Sequence, residues 1–461
     1  MQSPLFAEEP PCPAFTLARA EEVALENNRE VQTTRELLEK AREGRLESLS
    51  KWFPALTAMS RTFRTQHPQQ PYIDSRTSFE TSFQVTQAIF SSDLYYNVKI
   101  AKLIEKHLAL LLEAALNDVL FRVRSLYYQL ILDLDTIRTA QEQIDLLVQL
   151  SHEMQGRYDV GEAILFNVNQ SKVAIANAMT IYYQASKQYK VDYDRFAEVL
   201  GYDPGTVNIA LEENEIPIFC LPELAEKLDK MEQIFVNDPA ANEIFYPTFP
   251  QAEMQRMSQL FSCDEIDVWE EVAQSHRPDL LLSRNTLDIA SEKIKSRLGE
   301  YFPILSAVAN YGGEPTDIVD NLSSRFNNQK FSWGVGIKLN WTLFDGLGRE
   351  RRIQQARHER NASRFSYEKS LQNAHAEVRR RIFEIEESIA SYLTAASNVK
   401  LAEMTTELVK QQLDVGYVTI FDYQISINGL FQAKNTQNKA RYDLILSYYG
   451  LRHASGIDLA K

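Results

Sequence analysis

The sequence repeats itself at nearly constant spacing. Trp52-Phe53-Pro54-Ala55-Leu56 returns as Tyr301-Phe302-Pro303-Ile304-Leu305, 249 positions on, and Glu26-Asn27-Asn28-Arg29-Glu30-Val31 keeps that offset against Ser275-His276-Arg277-Pro278-Asp279-Leu280. Phe90-Ser91-Ser92 matches Phe344-Asp345-Gly346 at 254, while Asp159-Val160-Gly161 matches Asp414-Val415-Gly416, and Gly201 matches Gly456, at 255. Matches in constant order imply duplication of a whole structural unit, so the 461 residues form one architecture in two halves rather than a string of unrelated domains. The expected halves are 14–204 and 265–456. Between them, 205–264 reads as an insert or linker, because the stretch from Pro204 to Asp264 holds six prolines and little periodicity.

Helix breakers are distributed unevenly. All 16 prolines lie at or before Pro315 and none falls between Pro71 and Pro204; no glycine falls between Gly44 and Gly156, or from Arg349 through Val415. Such long stretches without breakers predict very long helices over 92–155 and 347–411. Ile137, Ala140, Ile144 and Leu147 in the first, and Ile382, Ile385, Ile389, Tyr392, Ala396 and Val399 in the second, step by 3 and 4. That spacing is a seam for helix packing and carries no chemistry. Each long helix ends in a turn, 156–161 or 411–416, and a returning helix follows, 162–200 or 419–455. Each half therefore contains an antiparallel helical hairpin with its tip at Asp159-Val160-Gly161 or Asp414-Val415-Gly416, where a glycine just past a helix end tolerates the left-handed cap. One further helix per half is expected over 17–51 and 265–300.

The strands change the class of protein. From Phe331 the chain alternates, with Phe331, Trp333, Val335, Ile337, Leu339, Trp341 and Leu343 on one face and Ser332, Gly334, Gly336, Lys338, Asn340 and Thr342 on the other. A weaker counterpart in the first half sets Phe79, Phe83, Val85 and Ile89 against Glu80, Ser82, Gln84 and Thr86. Strands are expected over 53–65, 79–91, 301–311 and 331–345. The last exceeds the roughly 9–11 residues of a tilted membrane strand, and its tryptophans near either end suit an interfacial girdle. The competing reading is a strand half buried on a soluble sheet, but that requires a covering helical layer, and these helices look extended and coiled. In lipid an apolar strand has to belong to a closed barrel. Four strands per chain cannot close one, since single-chain barrels start at about eight. Oligomerisation follows, and three or more chains leave an aqueous lumen where two fill it.

A net charge of −14 weighs against nucleic acid as a partner, and Arg379-Arg380-Arg381 reads as a solvated helix face. Cys12, Cys220 and Cys263 have no metal-ligand spacing; Cys220 and Cys263 flank the Pro-rich stretch and are the candidate disulfide pair. Glu9-Pro10-Pro11 lacks the small and apolar residues expected before a lipidated cysteine at Cys12. No apolar run approaches the roughly 20 residues of a membrane helix. No signal peptide is evident, and Met1 to Phe15 reads as a truncated or processed start. These totals alone suggest a soluble cytoplasmic protein; the strand pattern overturns that. His152-Glu153 and His358-Glu359 begin like a zinc-protease helix but lack the second histidine, and there is no phosphate loop or nucleophile elbow. No enzyme, metal or cofactor is expected. A periplasmic coiled-coil scaffold or adaptor without a pore is the alternative, and it leaves the 331–344 strand without a role.

Over residues 14–456 the chain resembles the TolC family of outer-membrane efflux proteins. The motifs carrying the resemblance are Ala24-Leu25-Glu26-Asn27-Asn28 with Arg277-Pro278-Asp279-Leu280, the aromatic-Phe-Pro strand entries at Trp52 and Tyr301, Leu343-Phe344-Asp345-Gly346, and the tip segment Gly416-Tyr417-Val418-Thr419-Ile420-Phe421-Asp422-Tyr423. The resemblance implies a mainly α protein with a membrane β-barrel part, a homotrimer sharing a twelve-stranded barrel that continues into a long α-helical coiled-coil tunnel. It implies an outer-membrane location with a periplasmic helical domain, and an equatorial belt formed by 205–264. The implied partners are outer-membrane lipid, a periplasmic adaptor at the tips, and an inner-membrane transporter of RND, ABC or MFS type, with export by efflux or type I secretion. The family's acidic entrance position falls on Asp422, with Asn167 in its place in the first half; the next acidic position is Ile425. Two readings of Asp422 stand, a ring at the entrance or an acid at a helix N-terminus. The family's Tyr and Arg latch positions hold Leu413 and Val418, so that latch is absent.

Overall fold

The computed structural model describes residues 16–65, 76–203, 205, 263–313, 316–317 and 331–457. Most of the 205–264 insert, with Cys220 and the side chain of Cys263, lies outside them, as does Cys12. Two compact units share the chain: residues 1–33, 112–278 and 371–461 make one, residues 34–111 and 279–370 the other. Each repeat contributes to both.

The first unit is helical. α1 (Leu17–Asn27) opens under a Thr16 cap, whose hydroxyl accepts from the Arg19 amide. α3 (Ser92–Asp159) and α4 (Leu165–Val199) form the first hairpin. α5 (Cys263–His276), α7 (Gly348–Asp414) and α8 (Ile420–Ser455) are the matching elements of the second repeat. The unit's core is built in three clusters. Val23, Val119, Val123, Leu130, Phe196 and Ile445 fill one; Ala273, Val378, Ile382, Ile385, Ile389 and Leu444 fill another. The third, behind the tips, joins all four hairpin helices through Leu147, Leu150, Val168, Leu413, Ile420, Tyr423 and Ile427. Ile382, Ile385, Ile389 and Val399 are buried, as their 3–4 spacing requires; at the next step Ala395, rather than Ala396, is the buried alanine.

The helices expected over 17–51 and 265–300 are each two helices. α2 (Arg29–Ser50) follows α1 after Asn28, and α6 (Pro278–Gly299) follows α5 after Arg277. Buried Asn28 leaves the helical region with ψ 128°, and its Oδ1 accepts from the Glu30 and Val31 amides at 2.9 and 3.3 Å, capping α2. Its Nδ2 donates to the Val199 carbonyl at 2.8 Å, satisfying an acceptor that the end of α4 leaves open. Arg277 does the same in the second repeat, donating to the Ala454 carbonyl at 3.2 Å. Beside each break a glycine closes the hairpin's return helix, Gly201 with φ +86° and Gly456 with φ +74°. A Cβ on Gly201 would lie 2.4 Å from the Asn27 carbonyl oxygen, and one on Gly456 2.8 Å from that of His276. Broken helix, polar bridge and left-handed glycine thus form one joint, built twice.

The second unit carries the sheet. Its strands run β1 (Ala55–Thr65), β2 (Arg76–Phe90), β3 (Ile304–Gly313) and β5 (Phe331–Asn340), in the order β1-β2-β3-β5 with every neighbour antiparallel; the two-residue β4 (Thr316–Asp317) pairs with β2. The helices α2 and α6 and parts of α3 and α7 complete the unit, held by Arg45 to Glu105, the Asn285 amide to the Leu103 carbonyl, and Lys293 to Glu359.

All four long strands depart from their expected bounds, β2 running 76–90 instead of 79–91 and β3 ending at 313 instead of 311. β5 stops at Asn340, so Trp341 and Leu343 lie beyond it: the Trp341 indole turns back and donates to the Tyr301 carbonyl at 3.0 Å, and the Leu343 carbonyl is held by Arg349. β1 and β3 start after their prolines, which have no amide for the ladder. In β2 a bulge at Ile89 brings Phe90, instead of Ile89, opposite Leu305.

The step in offset from 254 to 255 has a structural cause. Where Ser91 caps α3 directly, accepting from the Leu94 amide, the second repeat fits an additional residue into its turn, with Gly346 and Leu347 both at φ +69°. A branched residue in that region costs about 1 kcal/mol. Leu347→Gly is therefore expected to raise the denaturation midpoint modestly, by about 1 kcal/mol of stability, while Gly346→Leu lowers it.

Candidate functional site: the hairpin tips and the bare strand face

Both tips are Schellman turns. In the first, the Gly161 amide donates to the Tyr158 carbonyl and the Glu162 amide to that of Arg157; in the second, Gly416 donates to Leu413 and Tyr417 to Gln412. Gly161 and Gly416 share φ +80°. Val160, Val415 and Tyr417 stand exposed, as do Ile164, Leu165, Phe166, Phe421 and Ile425. Phe166 and Phe421, 255 positions apart, meet with ring centroids 6.2 Å apart. Asp159 accepts from Gln155 on its own helix, whereas Asp414 accepts from Arg157 of the first hairpin at 2.9 Å. The same guanidinium reaches the Leu413 carbonyl at 3.4 Å, and lower down Gln143 donates to Asn428 at 2.7 Å. The two tips are therefore tied by charge, by rings and by the apolar cluster behind them. Leu413 and Val418 belong to that cluster; both pack inward.

The first residues of the return helices separate the repeats. Asp422 is the third residue of a capping box: the Thr419 amide donates to its Oδ2 at 2.8 Å and the Thr419 hydroxyl at 2.6 Å, and Thr419 Oγ1 accepts from the Asp422 amide. The Thr419 hydroxyl and amide hold this exposed carboxyl below the usual aspartate range. In the first repeat Ile164 stands where Thr419 does, no side chain caps α4, and Asn167 only donates its amide to the Ile164 carbonyl. Because the carboxylate form is the one that caps, its contribution is present at neutral pH and lost as pH falls through the lowered folded value. Asp422→Ala is expected to speed amide exchange over the first turn of α8 with no change at the start of α4.

The sheet has two unlike faces. Strand register aligns Trp333, Tyr311, Phe83 and Ala58 in one row, Val335, Ala309, Val85 and Leu56 in the next, and Leu339, Leu305 and Phe90 in another. The opposite face aligns Gly334, Asn310, Gln84 and Thr57, and Gly336, Val308, Thr86 and Ala55. Trp333 is 78% exposed, Val335 76%, Ile337 72% and Leu339 60%, so among the described residues nothing covers the most apolar strand. Phe331 opens β5, though its side chain lies outside those described. Among the described residues no helix is long and apolar enough to cross a membrane.

The family model for outer membrane efflux proteins matches residues 269–457. The second repeat is thus similar to the outer membrane efflux proteins. The sequence is 28% identical across 188 residues to outer membrane protein TolC of Vibrio cholerae, covering 40% of this chain and 42% of that one. It is 22% identical across 189 residues to the alkaline protease secretion protein AprF of Pseudomonas aeruginosa, covering 41% and 38%. The match thus spans about two fifths of the length of these relatives. The fold extends further. The Campylobacter jejuni CmeC outer membrane channel superposes with a TM-score of 0.72 over 95% of this chain and 85% of its own, at 15% identity. The partial sequence match and the shared channel fold agree with the resemblance found in the sequence motifs.

Within this efflux-protein fold, two features escaped the sequence reading. The Thr419-x-x-Asp422 spacing is itself a capping-box signature. Arg157 had no local signal, since its counterpart 255 positions on is Gln412; only the packing of one hairpin on the other gives it Asp414.

Proposed function

We propose that the chain is one protomer of a passive exit duct in the outer membrane, serving a tripartite efflux or type I secretion system. The observation that carries this is the exposed apolar face of the sheet, whose edge strands β1 and β5 have no further strand beside them among the described residues. In water such a face and such edges are unfavourable; in lipid, with β5 of one copy paired to β1 of the next, both are satisfied. Three copies make twelve strands, enough for a lumen lined by the Gly, Asn, Thr and Gln face. The helical hairpins then form a tunnel wall, and their exposed apolar tips dock a periplasmic adaptor that leads to an inner-membrane transporter. Trp333 faces lipid at one interface. Asp422 rings the tunnel entrance, charged throughout the neutral range because Thr419 holds its carboxyl low.

Outer-membrane fractionation tests the assembly. A heat-resistant trimer extracted from that membrane is the expected result; a soluble elongated monomer supports a pore-less scaffold and overturns the duct. Single-channel recordings test the entrance. Asp422→Asn retains an acceptor for the cap and removes the charge, so reduced cation preference is expected, and an unchanged preference removes Asp422 from the entrance.

A further inference from the structure

The two hairpins differ at a buried contact between their paired helices. In the first, Asp133 of α3 and Asp192 of α4 are 6% and 3% exposed, and their carboxyls lie close enough to interact electrostatically. At the repeat offset of 255, the second hairpin holds Ser388 and Ser447, also buried, with hydroxyl oxygens 2.9 Å apart. The duplicated fold thus makes the same cross-hairpin contact twice, once with two acids and once with two neutral hydroxyls.

We propose that Asp133 and Asp192 share a proton and act as an acid-operated clasp between α3 and α4, a device that the second repeat lacks. The surrounding groups assign the proton. Asp192 accepts from Gln188 at 2.7 Å and from the exposed Arg195 at 2.8 Å, so both its oxygens are matched in the ionised form. Asp133 accepts at one oxygen from Gln129, 3.1 Å away on its own helix, while its Oδ2 is buried with no donor. A proton on that oxygen supplies the missing hydrogen bond. Among the described residues no cation faces Asp133 from the other packed elements. α1 brings Ala20, Val23 and Ala24 to this core, and α8 brings Tyr442 and Ile445. The nearby charges are engaged elsewhere, Arg124 with Glu21 and Asp135 with the Tyr442 hydroxyl.

Burial, with the neighbouring Asp192 charge adding to it, pushes Asp133 up to about 6. The folded state holds the proton more tightly than the unfolded chain. The clasp's contribution is therefore full below the ordinary aspartate value and is lost as pH rises through about 6, where two buried carboxylates come to oppose each other. The first hairpin is tight in mild acid and loosened at neutral pH; the second is indifferent. This holds whether or not the chain forms a channel.

Hydrogen exchange on the full-length protein, corrected for intrinsic rates, tests it. Protection around Asp133 and Asp192 is expected to be at least about tenfold higher near pH 5 than near pH 7.5, with no such change around Ser388 and Ser447. Asp133→Asn is expected to abolish the pH response. If that variant does not fold, Asp133→Ser with Asp192→Ser, the pair the second repeat already uses, is expected to make the first hairpin flat as well. Equal pH profiles in the two hairpins, or a response that survives either variant, overturns the clasp. Protection restored at neutral pH by calcium or magnesium alone assigns the pair to a metal ion instead and also overturns it.

Discussion

Gly201→Ala is expected to unlock the joint between α1 and the end of α4, lowering stability there by about 3–5 kcal/mol, the range of severe steric lesions. Two costs add. At φ +86° an alanine occupies a left-handed region worth about 1 kcal/mol against it. Its Cβ would also lie 2.4 Å from the Asn27 carbonyl oxygen and 2.7 Å from the carbon, both backbone atoms that cannot swing aside. Relief requires α1 to part from α4, which stretches the buried bond from Asn28 to the Val199 carbonyl and leaves an acceptor unmatched. Amide exchange over α1 and the last turn of α4 reads the effect. Gly44→Ala is the control: nothing lies within 4 Å, so relief of helix-interior glycine is expected to stabilise by about 0.5–1 kcal/mol. Equal effects at the two glycines remove the steric argument.

The second large effect is expected on the bare face. Ile337→Lys sets a charge in the middle of the apolar rows of β5, at a side chain already 72% exposed. In water such a change is close to neutral. At a bilayer midplane it costs about 2–4 kcal/mol per chain, and a trimer incurs it three times. The trimer in the outer membrane is therefore expected to fall severalfold, with the helical unit's exchange protection unchanged. Gly336→Ser, one residue away on the opposite face with open space around it, is expected to assemble normally. An Ile337→Lys variant that assembles as well as the unmutated chain places this face in water.

The repeat, the long helices and the alternating strand were legible because each rests on a periodicity of single residues. The break at Arg277 was marked by Pro278, which opens α6 and disfavours helix at the residue before it. The break at Asn28 has no such breaker, and what holds that kink is the Val199 carbonyl, distant in sequence. Trp341 continued the alternation on paper, yet its indole found the Tyr301 carbonyl and left the strand. Asp422 carried two readings in the sequence. The contact to Thr419 decides the local one, while the distance to any axis is a property of several chains. Asp133 and Asp192 are ordinary acids in the sequence until the offset of 255 sets them against Ser388 and Ser447.

The open ends of the sheet bear on how such a chain has to be handled before it assembles. Among the described residues β1 and β5 each present a row of amides and carbonyls without a strand beside them, next to exposed Trp333, Val335 and Ile337. An isolated copy is thus a seed for indiscriminate strand addition, as ready to polymerise as to close a ring. Safe passage through water requires that these edges be masked or unformed until lipid and sister copies are at hand. Cells that overproduce the chain without a matching supply of escort factors should accumulate insoluble protein through this sheet, with the helices as bystanders.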